Sequence, residues 1–432
     1  MDFLQYKQLH VHPVQRLAGA VTPPASKSSS TRAVLAASLA PGPSRIDNVA
    51  NSHNVRAMIE ACESLGAEVF QADGNNLLVT GPERLRDGVT INPGNSGIVL
   101  RLLMGATANL RSTTFNTPYL ASLGQRSNIE MVDALGQLGV KVTSEEDGRL
   151  PITLDGSNVH AGEVTISGRR SSQFLSGLLY LGGLLDEPLS VTVTDELKAR
   201  PMVHTTLKVL AQAGLEVKAE DDIMRYSVTP GNHFQPAHYE VGSDPASTAA
   251  LLALAGAVDS EVVFEKYREE ELGGVVEHLR ATGVEITASG STLKVRGGGT
   301  LVPRDFDGSL APDAVLPLAA LAAHADGTSR FYNIEHLRYK ECDRISDFRR
   351  ELEKAGVSAE ERQDEIIIHG DSAGVKGGVE VDSHYDHGVI LAMSLIALRS
   401  AEGLTINDPQ YVAQTYPDFF DHLTQLGGRV TA

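Results

Sequence analysis

The stretch Pro24–Ala40, PASKSSSTRAVLAASLA, is the first in the chain whose residue types could do chemistry. Lys27 and Arg32 stand five apart in a run of small hydroxylated residues, ahead of an apolar, alanine-rich segment with helical character. A Ser at the N-cap leaves first-turn N–H groups pointing outward at the positive end of the helix dipole. With Lys27 beside them, these groups suit a small anion. They also suit an ordinary capped core helix, so the stretch alone does not decide. Lys27-Ser28 lacks the preceding glycine pattern of a P-loop. His10 and His12 share one face of an alternating strand, LHVHPVQRLAGAV, with no third ligand nearby, and read as surface or packing residues. Cys62 and Cys342 give neither a disulfide framework nor zinc spacing, which suits a reducing compartment.

The elements that position such residues recur. Five further stretches repeat the design of Pro24–Ala40: Gly94–Ala108, Ser171–Leu185, Asp244–Val258, Ala311–Ala325 and Asp386–Ser400. Each opens on Ser, Asp, Asn, Gly or Pro and continues almost uncharged, so each helix must be buried on nearly all sides. An amphipathic helix follows each: Val55–Val69, Ile129–Val142, His204–Val217, Val276–Ile286, Asp347–Ala359 and Phe419–Val430. Every one ends on a glycine C-cap (66, 139, 214, 283, 356 and 427) leading into a strand. Six strand–helix–strand–helix–strand units of about 72 residues follow from this period.

A chain of 432 residues exceeds one ordinary core, so two domains of three units are expected, residues 26–241 and residues 1–25 plus 242–432. The net charge of −18 argues against nucleic acid and anionic membrane surfaces, though local cations can still hold a small anion. No uninterrupted run of eighteen apolar residues and no signal-peptide pattern are present, and a cytoplasmic protein is expected. The run Arg268-Glu269-Glu270-Glu271 reads as a solvated helix face.

Six motifs carry a resemblance: ASKSSSTRA (Ala25–Ala33), GNSG (Gly94–Gly97), SSQFL (Ser171–Leu175), PDAVLPLAA (Pro312–Ala320), LRYKECDR (Leu337–Arg344) and TYPDFF (Thr415–Phe420). In order and at the repeat positions, they resemble the 5-enolpyruvylshikimate-3-phosphate synthase family. The resemblance implies the α/β enolpyruvyl transferase fold, an inside-out α/β barrel of six βαβαβ-type repeats, three per domain, with the active site in the interdomain cleft. It implies carboxyvinyl transfer from phosphoenolpyruvate to the 5-hydroxyl of shikimate 3-phosphate, with no metal or cofactor, by a monomer. Ser28 and Arg32 match contacts to the ring and its carboxylate, and Ser171, Ser172 and Lys340 those to the 3-phosphate. Asp313 matches the base. Lys27, Arg126, Gln173, Glu341 and Arg344 match the phosphoenolpyruvate side, Glu341 being the proton donor, and Asn95 and Gly97 belong to the same substrate-binding set.

Departures concentrate on the phosphoenolpyruvate side. Gly388 stands where the family has an arginine for the donor carboxylate, Gln414 where a lysine reaches the transferred phosphate, and Ile98 where a threonine borders the pocket. Ala199, Met202 and His336 replace a serine, a tyrosine and an asparagine. Two lost cations amount to roughly 3–6 kcal/mol of ligand binding. Arg169 and Arg170 are candidates to replace that charge. Insensitivity to glyphosate, which uses the same pocket in the family, follows. Two other readings stay open: a homologue that binds shikimate 3-phosphate and eliminates its phosphate as a lyase, and a silent ligand-binding protein.

Overall fold

The computed structural model describes residues 2–220, 224–231, 233–267, 272 and 274–432, so the Arg268–Glu271 charge run lies outside the described residues. The chain divides into two units, Ala25–Val241 and Met1–Pro24 with Gly242–Ala432, each with its own hydrophobic core.

Among the described residues, unit Ala25–Val241 is built on the α-helices α1 (Lys27–Leu39), α2 (His53–Ser64), α3 (Gly97–Ala106), α4 (Ile129–Gln137), α5 (Gln173–Gly182) and α6 (Arg200–Gln212). The ones with few charges, α1, α3 and α5, are enclosed, α3 along its whole length. The amphipathic ones bury one face, α4 through Met131, Ala134 and Leu135. Ser26, Ser52 and Ser96 cap α1, α2 and α3 by accepting from the N–H three residues on, each contributing about 1 kcal/mol. Helices α3 and α5 cross backbone to backbone. A Cβ on Gly105 would sit 1.9 Å from the Gly177 carbonyl oxygen, so only glycine permits the approach.

Each helix pair lies with a four-stranded sheet. Gly162–Ile166 pairs parallel to Leu189–Val193, which pairs antiparallel to Arg225–Val228, itself antiparallel to Val217–Glu220. The strand–helix–strand–helix–strand pattern thus gains a hairpin partner, giving βαβαββ. The sheet beside α1 and α2 takes its first strand from the far end of the unit: His238–Glu240 runs parallel to Gly42–Asp47.

The second unit repeats the plan with α7 (Pro245–Ala257), α8 (Val275–Ala281), α9 (Val315–Ala322), α10 (Ser346–Ala355), α11 (His387–Arg399) and α12 (Phe419–Gln425). Asp244 and Asp386 cap α7 and α11 through the N–H groups of Ser247 and Gly388. The N-terminal stretch read as one strand is two, in different sheets. Gln8–Val11 lies between Leu404–Asn407 and Val430–Thr431, and Arg16–Val21 runs parallel to Asp259–Phe264. Pro13 falls in the break, where it offers no N–H to continue a ladder. The rings of His10 and His12 meet edge-on at 4.4 Å, and their nitrogens bond the hydroxyls of Thr405 and Thr431.

Candidate functional site

In unit Ala25–Val241 the candidate residues gather where the buried helices begin. Lys27 opens α1 and is 9 % exposed. One turn on, Arg32 is fully buried. Its Nε donates to Thr206 Oγ1 at 2.7 Å and its Nη1 to the Ser28 carbonyl at 2.9 Å, while Nη2 has no hydrogen-bond partner among the described residues. No carboxylate pairs with Arg32 among the described residues, and burial lowers its pKa to about 10, which leaves it charged at neutral pH. Thr206 also meets Ser176 Oγ at 2.8 Å, and Ser176 donates to the Ser172 carbonyl, so α1, α5 and α6 share one polar chain.

The starts of α3 and α5 meet around Gly97. A Cβ there would lie 2.8 Å from Arg126 Nη1 and 3.6 Å from both Arg101 Nη1 and Gln173 Oε1. Glycine at 97 therefore makes room for the Arg126 guanidinium. Arg101 donates from Nη1 to Ser171 Oγ at 3.2 Å and Gln173 Oε1 at 3.0 Å, and from Nε to Asn128 Oδ1, and its guanidinium lies over the Phe174 ring. Asn95 Oδ1 accepts from the Leu123 N–H, tying the GNSG turn to the segment that leads to Arg126. The structure thus brings together Asn95, Gly97, Arg126, Ser171 and Gln173, and joins Ser28, Arg32 and Ser172 through Thr206. Sequence reasoning missed Arg101. Its signal was there: it is the only charged residue within Gly94–Ala108.

The second unit gathers candidate residues of its own around Arg344, which is 2 % exposed. Asp386 takes its Nε at 2.7 Å and Nη2 at 3.0 Å, Asp313 takes Nη1 at 2.5 Å, and Glu341 lies 3.2 Å from Nη2. Burial acts to lower the pKa of this guanidinium, but Asp386, Asp313 and Glu341 hold it well above the ordinary value. Asp313 sits on the 3₁₀ turn Pro312–Ala314 at the head of α9. Lys340 and Glu341 follow the 3₁₀ turn Glu335–Tyr339, anchored by Arg338, which bonds Asp343 at 2.8 Å and two backbone carbonyls. Burial and the neighbouring Asp386 push the Cys342 thiol well above its usual pKa, so it stays protonated.

The departures acquire physical reasons here. A Cβ at Gly388 would lie 3.1 Å from Asp386 Oδ1 and 3.5 Å from Arg344 Cζ, so Arg344 packs where a side chain at 388 would begin. Gln414 is buried and donates to the Tyr385 carbonyl at 2.9 Å. Arg170 pairs with Glu130 at 3.3 Å, so its charge is already engaged, and Arg169 is exposed. Ala199 sits left-handed at φ 52° at the start of α6, and Ile98 and His336 are buried. Among the described residues no three metal-binding side chains cluster, and no helix is long and apolar enough to cross a membrane.

Comparison with known proteins extends over nearly the whole chain. Residues 11–423 match the family described as EPSP synthase (3-phosphoshikimate 1-carboxyvinyltransferase). A 3-phosphoshikimate 1-carboxyvinyltransferase of Burkholderia pseudomallei is 47% identical, covering 99% of this chain and 96% of that one. One of Deinococcus radiodurans is 40% identical, covering 97% and 95%. Among solved structures, EPSP synthase from Acinetobacter baumannii superposes with a TM-score of 0.81 at 24% identity, over 99% of this chain and 100% of that one. The enolpyruvyl transferase NikO from Streptomyces tendae gives 0.79 at 17% identity, over 98% of each. Those two establish the fold, and with the sequence matches they place the chain: it belongs to the EPSP synthase family, the 3-phosphoshikimate 1-carboxyvinyltransferases.

Proposed function

We infer that the chain transfers the carboxyvinyl group of phosphoenolpyruvate to the 5-hydroxyl of shikimate 3-phosphate and releases phosphate. The supporting observation is the pairing of Asp313 and Glu341 on the single buried guanidinium of Arg344. Carboxyvinyl transfer needs such a pair, one group to take a proton and one to give it. Asp313 accepts the proton of the 5-hydroxyl as its oxygen bonds to C2 of phosphoenolpyruvate, and Glu341 delivers a proton to C3, making a methyl group. The methyl then returns a proton, the C2–O bond to phosphate breaks, and the vinyl ether remains.

In the other unit the buried, carboxylate-free Arg32 suits the ring carboxylate. Ser171, Ser172 and Lys340 hold the 3-phosphate, and Lys27, Arg126 and Gln173 the departing phosphate. Asn95 and Gly97 line the same set. The enzyme works as a cytoplasmic monomer on free small molecules, in keeping with its two unpaired cysteines. A second reading, elimination of phosphate from shikimate 3-phosphate alone, is favoured by one feature, the glycine and backbone-bound glutamine at 388 and 414.

Phosphate release with each substrate separately and together, with Glu341→Gln as control, decides between them. Transfer requires both substrates. Release from shikimate 3-phosphate alone, abolished in Glu341→Gln, overturns it in favour of the lyase.

A further inference from the structure

The turn that delivers Asp386 to Arg344 is built against local backbone preference. His384 (φ 50°) and Tyr385 (φ 60°) are consecutive non-glycine residues in the left-handed region. That conformation crowds Cβ and persists only where the surroundings impose it. Each residue is held at a different atom. His384 Nε2 lies 2.7 Å from Glu351 Oε1 on α10, and Glu351 Oε2 accepts the Asp382 N–H at 3.1 Å, so one carboxylate grips the turn twice. Glu351 is 1% exposed and takes its counter-charge from Lys354 at 2.7 Å. One residue on, the Tyr385 carbonyl accepts from Gln414 Nε2 at 2.9 Å, and its ring meets Tyr411 edge-on. The next residue is Asp386, whose carboxylate takes two donor atoms of Arg344, Nε and Nη2.

We propose that Glu351 and Gln414 are positioning residues: they clamp the left-handed pair, fix the Asp386 carboxylate, and so aim Arg344 at the carboxylate of the donor substrate. The inference rests on the proposed transfer from phosphoenolpyruvate and on the family resemblance that puts Arg344 on the phosphoenolpyruvate side. Released from the clamp, the turn relaxes, Asp386 withdraws, and Arg344 falls back on Asp313 and Glu341. Donor binding then weakens while acceptor binding does not. Of the charged groups acting on His384, Glu351 and Asp347 come from α10 and Asp382 from the turn itself, while Lys354 on α10 pairs with Glu351. Against the effect of burial, Glu351, Asp347 and Asp382 favour its protonated form. The clamp is therefore complete below the ordinary histidine pKa and loosens as pH rises through the raised one.

The test compares wild type, Glu351→Gln and Gln414→Leu, each with and without Tyr385→Gly, which makes the left-handed position costless. The single changes should raise KM for phosphoenolpyruvate about tenfold, the effect of loosening one charge-assisted hydrogen bond, with KM for shikimate 3-phosphate within about twofold. Tyr385→Gly should restore each, and His384→Gln should keep the contact while flattening the rise of donor KM with pH. An unchanged donor KM, or a loss of both substrates that Tyr385→Gly leaves untouched, overturns the proposal. Exchange of the Arg344 Nε–H, followed by NMR without substrates, separates the two inferences. If wild type turns over no phosphoenolpyruvate, the proposed function fails. Faster exchange in Glu351→Gln, slowed again by Tyr385→Gly, still supports the clamp, and unchanged exchange sinks it.

Discussion

Replacing Arg32 by methionine should leave the melting temperature within a few degrees of wild type and, at the same stroke, make the protein unable to hold its acceptor. Burial lowers the pKa of this guanidinium from its ordinary value to about 10. At about 1.4 kcal/mol per pKa unit, the charged form costs the fold roughly 3 kcal/mol. The sign is fixed by the direction: the charge is present in both folded and unfolded chains at pH 7, so the cost stays in force across the neutral range. Methionine removes it and forfeits the charge-assisted hydrogen bonds to Thr206 and the Ser28 carbonyl, about 1.5 kcal/mol each. Thr206 keeps Ser176 as a partner. The two effects nearly cancel, leaving a net change within about 1 kcal/mol, or within roughly 4 °C in Tm for a unit of this size. Shikimate 3-phosphate at a hundred times its Kd should add about 2.7 kcal/mol to wild type and nothing to the variant. Scanning fluorimetry of both proteins, with and without the ligand, reads all four values. A variant that melts several degrees lower without ligand, or still responds to shikimate 3-phosphate, refutes the assignment of Arg32 as a cation waiting for an anion.

Three further outcomes are expected. Gly388→Arg with Gln414→Lys should restore donor cations worth about 1.5–3 kcal/mol each and bring glyphosate sensitivity to an enzyme expected to lack it, less what is lost by crowding Asp386 and by giving up the Gln414 hold on the Tyr385 carbonyl. Inhibition assays check it, and micromolar inhibition of wild type would show that other residues already supply the charge. Lys340→Ala should cost about 2–5 kcal/mol of shikimate 3-phosphate binding by calorimetry, by leaving a buried phosphate short of a partner. Acid should act through His324, fully buried beside Arg399 with neither ring nitrogen bonded among the described residues; burial and Arg399 lower its pKa to about 3. Because the folded pKa is depressed, its neutral form supports the fold above pH 6.5 and that support drains away toward pH 3, about 3 kcal/mol of it by pH 4. Urea unfolding at pH 7 and pH 4 should show the loss in wild type and a smaller one in His324→Phe.

The helices were legible because their signals are local. A nearly uncharged fifteen-residue run has to be enclosed, and a serine or aspartate before it and a glycine after its partner helix mark the ends whatever the fold. Strand partners were not legible. Alternation tells which face of Arg16–Val21 is buried, but not that its neighbour is Asp259–Phe264, and a proline-broken segment looks continuous until its halves are seen in different sheets. Lys27, Ser171 and Glu341 could be named one by one from motifs. The convergence of Asp313, Glu341 and Asp386 on Arg344 could not, since the three carboxylates lie up to 73 positions apart along the chain (386 − 313). Gly388 was visible as a departure, whereas its reason, the Arg344 guanidinium packed against it, needed coordinates.

The claim that matters most is that Glu341 protonates the methylene of phosphoenolpyruvate while Asp313 frees the attacking hydroxyl. Running the reaction in heavy water with both substrates and weighing the product tests it directly. A transient methyl group loses any of its hydrogens on collapse, so the account predicts a vinyl ether carrying deuterium at its methylene, formed by wild type and lost in Glu341→Gln. A phosphate-free ring product made without phosphoenolpyruvate, or a vinyl ether with no deuterium, would contradict it.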